Sequence, residues 1–185
     1  MSKNFQKCLK IVLHHEGIDP DSGKTGWVQH PSDNDGGATN YGITRITYAD
    51  FLEKETNEVS IEEMRNMPYS DVELIYKHRY WDRIKGTKIA KKSLGMALFC
   101  FDFSVNAGTR RGAKTLQRAC GASPDGIIGK KTLAVALRQD PDYIIRRMHE
   151  IRQAFYESLE SKFKVFGKGW TRRNKEVLET AQSLG

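Results

Sequence analysis

The chain has 185 residues and a mass of 21.1 kDa, enough for one domain or two small halves with a core that needs no disulfide or metal. Its formal net charge of +7 suits an anionic polymer as partner: nucleic acid, a phospholipid surface or a carboxylate-bearing cell wall. No run reaches the ~18 consecutive apolar residues of a membrane span, and Met1 to Lys10 lacks the apolar core of a signal peptide, so a soluble protein made in a cytoplasm is expected.

Phe5, Leu9, Val12 and Leu13 recur at helical spacing and Gly17 reads as a stop, which predicts a first helix. Continued by one turn, the same stripe reaches Glu16. A carboxylate there is expected to be buried and to sit beside the negative end of the helix dipole, and both effects raise its pKa. That is the state a general acid requires, although a helix-end Glu that only borders the apolar face has the same spacing.

Residues 18 to 44 are rich in Gly, Pro, Asp, Asn and Ser, which predicts turns and a short β-hairpin around Trp27-Val28 and Tyr41 to Thr44. Asp33, Asp35, Thr39, Asn40, Tyr41, Gly42 and Thr44 provide side chains and backbone that can hold water or sugar hydroxyls. A surface loop closed by Asx-turns would have the same composition. Helices return from Ile46, with breaks near Pro68, Gly86, Gly108, Gly121 to Gly129 and Pro141.

Charge is uneven along this part. Asp50 to Glu73 has eight acids and two bases, whereas Lys77 to Lys92 has seven bases and only Asp82. More bases follow at Arg110, Arg111, Lys114 and Arg118. Leu94 to Phe103 is apolar on nearly every side, which predicts a central helix. Asp102 and Asn106 interrupt it on one face, where they either fasten another segment or line a cleft. Leu116 to Thr132 reads as helix, Pro-Asp-Gly turn, helix; plain hairpin packing and a DNA-reading unit both fit.

A long amphipathic helix is expected from Tyr143 to Phe166, with Gly167-Lys168-Gly169 dividing it from a last helix. Its apolar stripe suits core packing; Arg146, Arg147 and Arg152 would also suit a cationic element acting on an anionic outer-membrane surface. Cys8, Cys100 and Cys120 read as buried free thiols. The histidines lack zinc spacing, so neither a metal nor a cofactor is expected. The architecture expected is mainly α and lysozyme-like: a small loop-and-hairpin lobe and a larger helical lobe around a cleft.

Five segments in order resemble glycoside hydrolase family 108, the lysozyme-type N-acetylmuramidases frequent among phage endolysins. They are His15-Glu16-Gly17, Gly36 to Thr44, Tyr80-Trp81-Asp82, Phe101 to Gly108 and Phe166 to Trp170. Leu116 to Thr132 resembles the peptidoglycan-binding part of that family. The resemblance implies residues 1–90 as the catalytic part and residues 91–185 as a helical peptidoglycan-binding-like part, packed as one globular unit. It implies cleavage of the β-1,4 bond between N-acetylmuramic acid and N-acetylglucosamine, with Glu16 as general acid. Asp33 or Asp35, with Thr39 or Thr44, would hold the attacking water.

Ile18 stands where the family has a second Gly, Asp19 to Gly26 resembles an insertion, and His30 replaces a frequent Asp. Ser104 to Gly108 is also similar to a segment of lytic transglycosylases, which adds Asn106 to the substrate contacts and makes a transglycosylase the alternative enzyme. A non-catalytic wall binder is the alternative outside enzymes. The expected partner is peptidoglycan, met after release from the host cytoplasm; the protein is expected to be monomeric and not to bind nucleic acid.

Overall fold

The computed structural model describes residues 1–29 and 37–185. The fold is mainly α with one small sheet, and it divides into two compact units. Met1 and Leu9–Lys77 form the first; Ser2–Cys8 and His78–Gly185 form the second. Helix α1 (Lys3–His15) is divided between them, its first residues to Cys8 belonging to the second and those from Leu9 to the first.

In the first unit, α1 leads through a closed loop to a three-stranded antiparallel sheet. The loop from Asp19 to Lys24 is pinned by reciprocal backbone bonds between those two residues, at 2.8 and 3.0 Å. The strands are β1 (Val28–Gln29), β2 (Ala38–Asn40) and β3 (Ile43–Thr44), in that spatial order. Val28 pairs with Thr39, and Thr39 with Thr44. Helices α2 (Arg45–Leu52), α3 (Ile61–Arg65) and α4 (Tyr69–Tyr76) complete the unit. Thr44 and Ser60 cap α2 and α3 through their hydroxyls, and Glu63 bonds back to the Ser60 N–H to make a capping box.

In the second unit a π-helical turn at Lys77–Trp81 precedes α5 (Gly86–Ala90) and α6 (Leu94–Ala107). Every residue of α6 from Gly95 to Ser104 is buried, as its all-round apolarity predicts. Phe5, Trp81 and Phe101 meet edge to face or tilted, with ring centroids 5.4 to 6.0 Å apart. Around α6 pack α7 (Thr109–Cys120), α9 (Pro141–Glu157) and α10 (Glu160–Ser183), with α8 (Lys130–Ala136) against α7. At Gly95 the approach of α10 is so close that a Cβ would fall 2.0 Å from the Ala181 carbonyl oxygen.

The Pro124-Asp125-Gly126 turn is held from beneath by the buried Gln117. Its amide donates to Asp125 Oδ1 at 2.7 Å and its Oε1 accepts from the Gly126 N–H at 2.9 Å. This segment packs as a helix hairpin on the body of the unit. The three cysteines are free and buried, and burial pushes the Cys8 and Cys100 thiols up to about 12.

Two expectations about the C-terminal helices are corrected. The long helix ends at Glu157, and the break lies at Ser158-Leu159; α10 runs straight through Gly167 and Gly169. A helix-interior Gly costs only ~1 kcal/mol, less than the packing of Asn174, Val177 and Ala181, all buried, can supply. Arg152 is not a surface charge either: it is completely buried, and Ile144, Ile145 and Met148 are spent in the core.

Among the described residues, no helix is long and apolar enough to cross a membrane.

Candidate active site

Of the residues expected at the site, Glu16, Thr39, Asn40, Tyr41, Gly42 and Thr44 belong to the first unit. Gly17 takes φ +74°, a left-handed conformation open to Gly. Its N–H donates to the His14 carbonyl at 2.9 Å, and that of Ile18 to the Leu13 carbonyl at 2.9 Å. This pair of bonds is a Schellman closure, and the two residues whose side chains it brings together, Leu13 and Ile18, are both buried.

The closure makes Glu16 the C-cap residue, with its side chain exposed. The burial expected of it is therefore not found. Counting at helical spacing assumes the helix continues, but the chain reverses at Gly17 and Ile18 takes the apolar position. Ile18 also joins the helix end to the sheet. A Cβ on Gly26 would lie 3.0 Å from its Cγ1, and one on Gly42 would lie 3.9 Å from its Cδ1. The departure of Ile18 from the family's Gly thus has a structural use.

Tyr41 and Gly42, at φ 51° and 70°, form the two-residue turn between the paired Asn40 and Ile43. Both signs are those of a type I′ hairpin. Tyr76, which sequence reasoning did not single out, donates its hydroxyl to the Tyr41 carbonyl at 2.9 Å. The Tyr41 ring lies 5.9 Å from that of Tyr69, whose hydroxyl is pushed up to about 12 by burial first and by the nearby Glu73 next.

Strand alternation sends Ala38, Asn40 and Ile43 inward and Val28, Thr39 and Thr44 outward, so the last three form one row across the sheet. Thr39 and Thr44 are thus brought together. Thr44 is already engaged as the α2 cap, accepting from the Thr47 N–H at 3.3 Å and donating to Thr47 Oγ1 at 3.1 Å. Asn40 needs a correction. It is fully buried, and its amide donates to the carbonyls of Met64 at 2.9 Å and Arg65 at 3.1 Å, so it pins β2 to α3 and offers nothing to a substrate. Asp33, Asp35 and His30 lie outside the described residues.

Asn106 belongs to the second unit, near the end of α6. It is exposed, and its Oδ1 accepts from the Tyr156 hydroxyl at 2.7 Å. The same hydroxyl accepts from Arg152 Nε at 2.8 Å. Asp102, also expected to need partners, lies between two guanidiniums: Arg152 Nη1 at 2.7 Å and Arg173 Nη2 at 2.8 Å. Among the described residues, no three His, Cys, Asp or Glu side chains converge where a metal ion could bind.

A mainly α body with one small antiparallel sheet is the architecture of a lysozyme-like fold. Residues 9–108 match the family Glycosyl hydrolase 108, and residues 111–175 match Predicted Peptidoglycan domain. The chain belongs to the glycosyl hydrolase 108 family. The match boundary falls between Gly108 and Arg111, where α6 gives way to α7.

Among solved structures, the chain is similar to Brucella abortus SagA, with 32% identity and a TM-score of 0.75, covering 97% of this chain and 94% of that one. No curated protein sequence matches significantly. The protein is a peptidoglycan hydrolase, a glycosidase of the N-acetylmuramidase class acting on the bacterial cell wall.

Proposed function

We propose that Glu16 is the general acid of this muramidase. The observation that carries it is the Schellman closure: Glu16 is exposed, on a backbone fixed by two hydrogen bonds at the end of α1.

In the reaction the Glu16 proton passes to the glycosidic oxygen as its bond to the anomeric carbon breaks. Water adds to that carbon, and its proton goes to a second carboxylate, Asp33 or Asp35. The hydroxyl of Thr39 or Thr44 holds the water from the outward face of the sheet. Asn106 contacts the glycan through its amide N–H groups, since its oxygen is taken by Tyr156. A carboxyl separation of ~6.5–9.5 Å would give inversion and one of ~5–5.5 Å retention. On this reading the enzyme is made in a host cytoplasm and works on the wall after release.

Mass spectrometry of fragments released from purified peptidoglycan tests the assignment. Reducing N-acetylmuramic acid ends are expected from the native protein. Glu16→Gln should lower the rate ~10²–10⁴-fold without changing the unfolding midpoint. Near-native activity of that variant would remove Glu16 from the role, and anhydro-muramic ends would make the reaction a transglycosylation.

A further inference from the structure

The surface of α7 carries a charge pattern that glycan cleavage does not use. Between Phe103 and Pro124 the chain has four bases, Arg110, Arg111, Lys114 and Arg118, and no acid. Their helical spacing sets Arg111, Lys114 and Arg118 in one stripe, while Ala113, Leu116, Gln117 and Cys120 are buried on the other side. These four bases line a groove of about 360 Å³ floored by Phe155.

Several cations on α9 and α10 are matched. Arg146 pairs with Asp142 at 2.8 Å, Arg147 with Glu150, Arg172 with Glu176 at 3.9 Å, and Lys175 with Glu179 at 3.8 Å. In the groove, Arg110 lies toward Asp125, whose carboxyl is held below its usual range by Gln117 first and by Arg110 in smaller part. Among the described residues, Arg111, Lys114 and Arg118 have no carboxylate within ion-pair distance. Arg111 is held in place instead by stacking, with its guanidinium carbon 4.0 Å from the centre of the Phe155 ring.

The geometry points to this groove as an anchoring site for the carboxylate-bearing stem peptides of peptidoglycan, separate from the residues that cut the glycan. The proposal rests on the hydrolase reading for its choice of polymer. Charge complementarity selects carboxylates, and a pre-ordered guanidinium loses little freedom on pairing with one. Arg111, Lys114, Arg118 and Phe155 of the groove lie within the residues that match the peptidoglycan domain. Such a site holds the enzyme on an insoluble substrate between cuts and raises its local concentration there.

The test is equilibrium binding to purified sacculi, in a Glu16→Gln background so that the sacculi stay intact. Arg111→Gln/Lys114→Gln/Arg118→Gln should bind about tenfold more weakly, as expected for three exposed charge contacts. Lys114→Gln/Arg118→Gln keeps the Phe155 stack and should show part of the loss with an unchanged melting temperature. Sacculi whose carboxylates have been converted to neutral amides by carbodiimide coupling to methylamine should bind the parent protein as weakly as intact sacculi bind the triple variant.

Equal binding of parent and triple variant would overturn the proposal, as would undiminished binding of the parent to the amidated sacculi. So would a loss seen only on anionic phospholipid vesicles or on duplex DNA. Cleavage of stem-free glycan strands by the native protein is measured separately, so failure of the hydrolase reading and failure of the anchor are distinguishable.

Discussion

Asp102 and Arg152 form an ion pair, 2.7 Å apart with neither side chain exposed, at the centre of the second unit. The aspartate also accepts from Arg173 Nε and Nη2, and Arg152 lies over the rings of Phe103 and Tyr156, 4.8 and 5.5 Å from their centres. One α6 carboxylate thereby fastens α9 and α10. Removing a single member of a buried pair strands the other charge, at a cost of ~3–5 kcal/mol. Asp102→Asn is expected to lose that much in urea unfolding. Asp102→Leu/Arg152→Met/Arg173→Met, which removes all three charges, should lose clearly less; equal losses would mean that packing, and not the charge cluster, holds the helices.

The turn that packs near Ile18 gives a second prediction. Gly42 has φ +70°, and a Cβ there would meet the Tyr76 hydroxyl at 3.0 Å. Gly42→Ala must strain the type I′ turn or push Tyr76 off the Tyr41 carbonyl. A destabilisation of ~1–2 kcal/mol is expected. Because the turn shares Ile18 with the end of α1, muramidase activity should fall by more than the unfolded fraction explains. Activity that simply tracks the folded fraction would separate the turn from the site.

Glu63 sets a pH dependence. The Ser60 N–H, then Lys54 and the Ser60 hydroxyl, hold its carboxyl down at about 2, from 4.5. A depressed carboxylate stabilises the fold fully above pH 4.5, and the contribution is lost as pH falls toward 2. Glu63→Gln keeps an acceptor for the cap but does not titrate. Urea midpoints of the native protein should therefore fall faster than those of the variant between pH 4.5 and 2, and converge with them at the acid end. Parallel curves would show that the capping box contributes no proton linkage.

What could be read from the sequence was what local periodicity encodes. The α1 stripe, the all-round apolar α6 and the breaks at Gly108 and Gly121 each follow from neighbours three or four residues away. Glu16's exposure was missed because a helical wheel does not include the reversal at Gly17, although His15-Glu16-Gly17-Ile18 carries its signal: Gly, then an apolar residue. Asn40 was misread because its partners, the carbonyls of Met64 and Arg65, lie more than twenty residues away and leave no local mark. Arg152 did leave one. It continues the buried Ile145 and Met148 row toward Tyr156, where a charge requires a buried counter-charge, and Asp102 was already the unexplained acid.

The bridge from that ion pair to the surface gives the last prediction. Tyr156 accepts from Arg152 and donates to Asn106, so one hydroxyl fixes which face of the Asn106 amide is turned outward. Tyr156→Phe removes the bond while leaving the ring against Trp170, 5.1 Å between centres. A stability loss of ~1.5–3 kcal/mol is expected, the range for a hydrogen bond to a charged group. If Asn106 holds glycan through its N–H groups, freeing the amide to rotate should raise KM with less change in kcat. Asn106→Ala should do the same. In the double variant the two effects should not add, because Tyr156 acts on substrate only through Asn106. Additive KM effects would break that connection and leave Tyr156 as a packing residue of the α6–α9 contact.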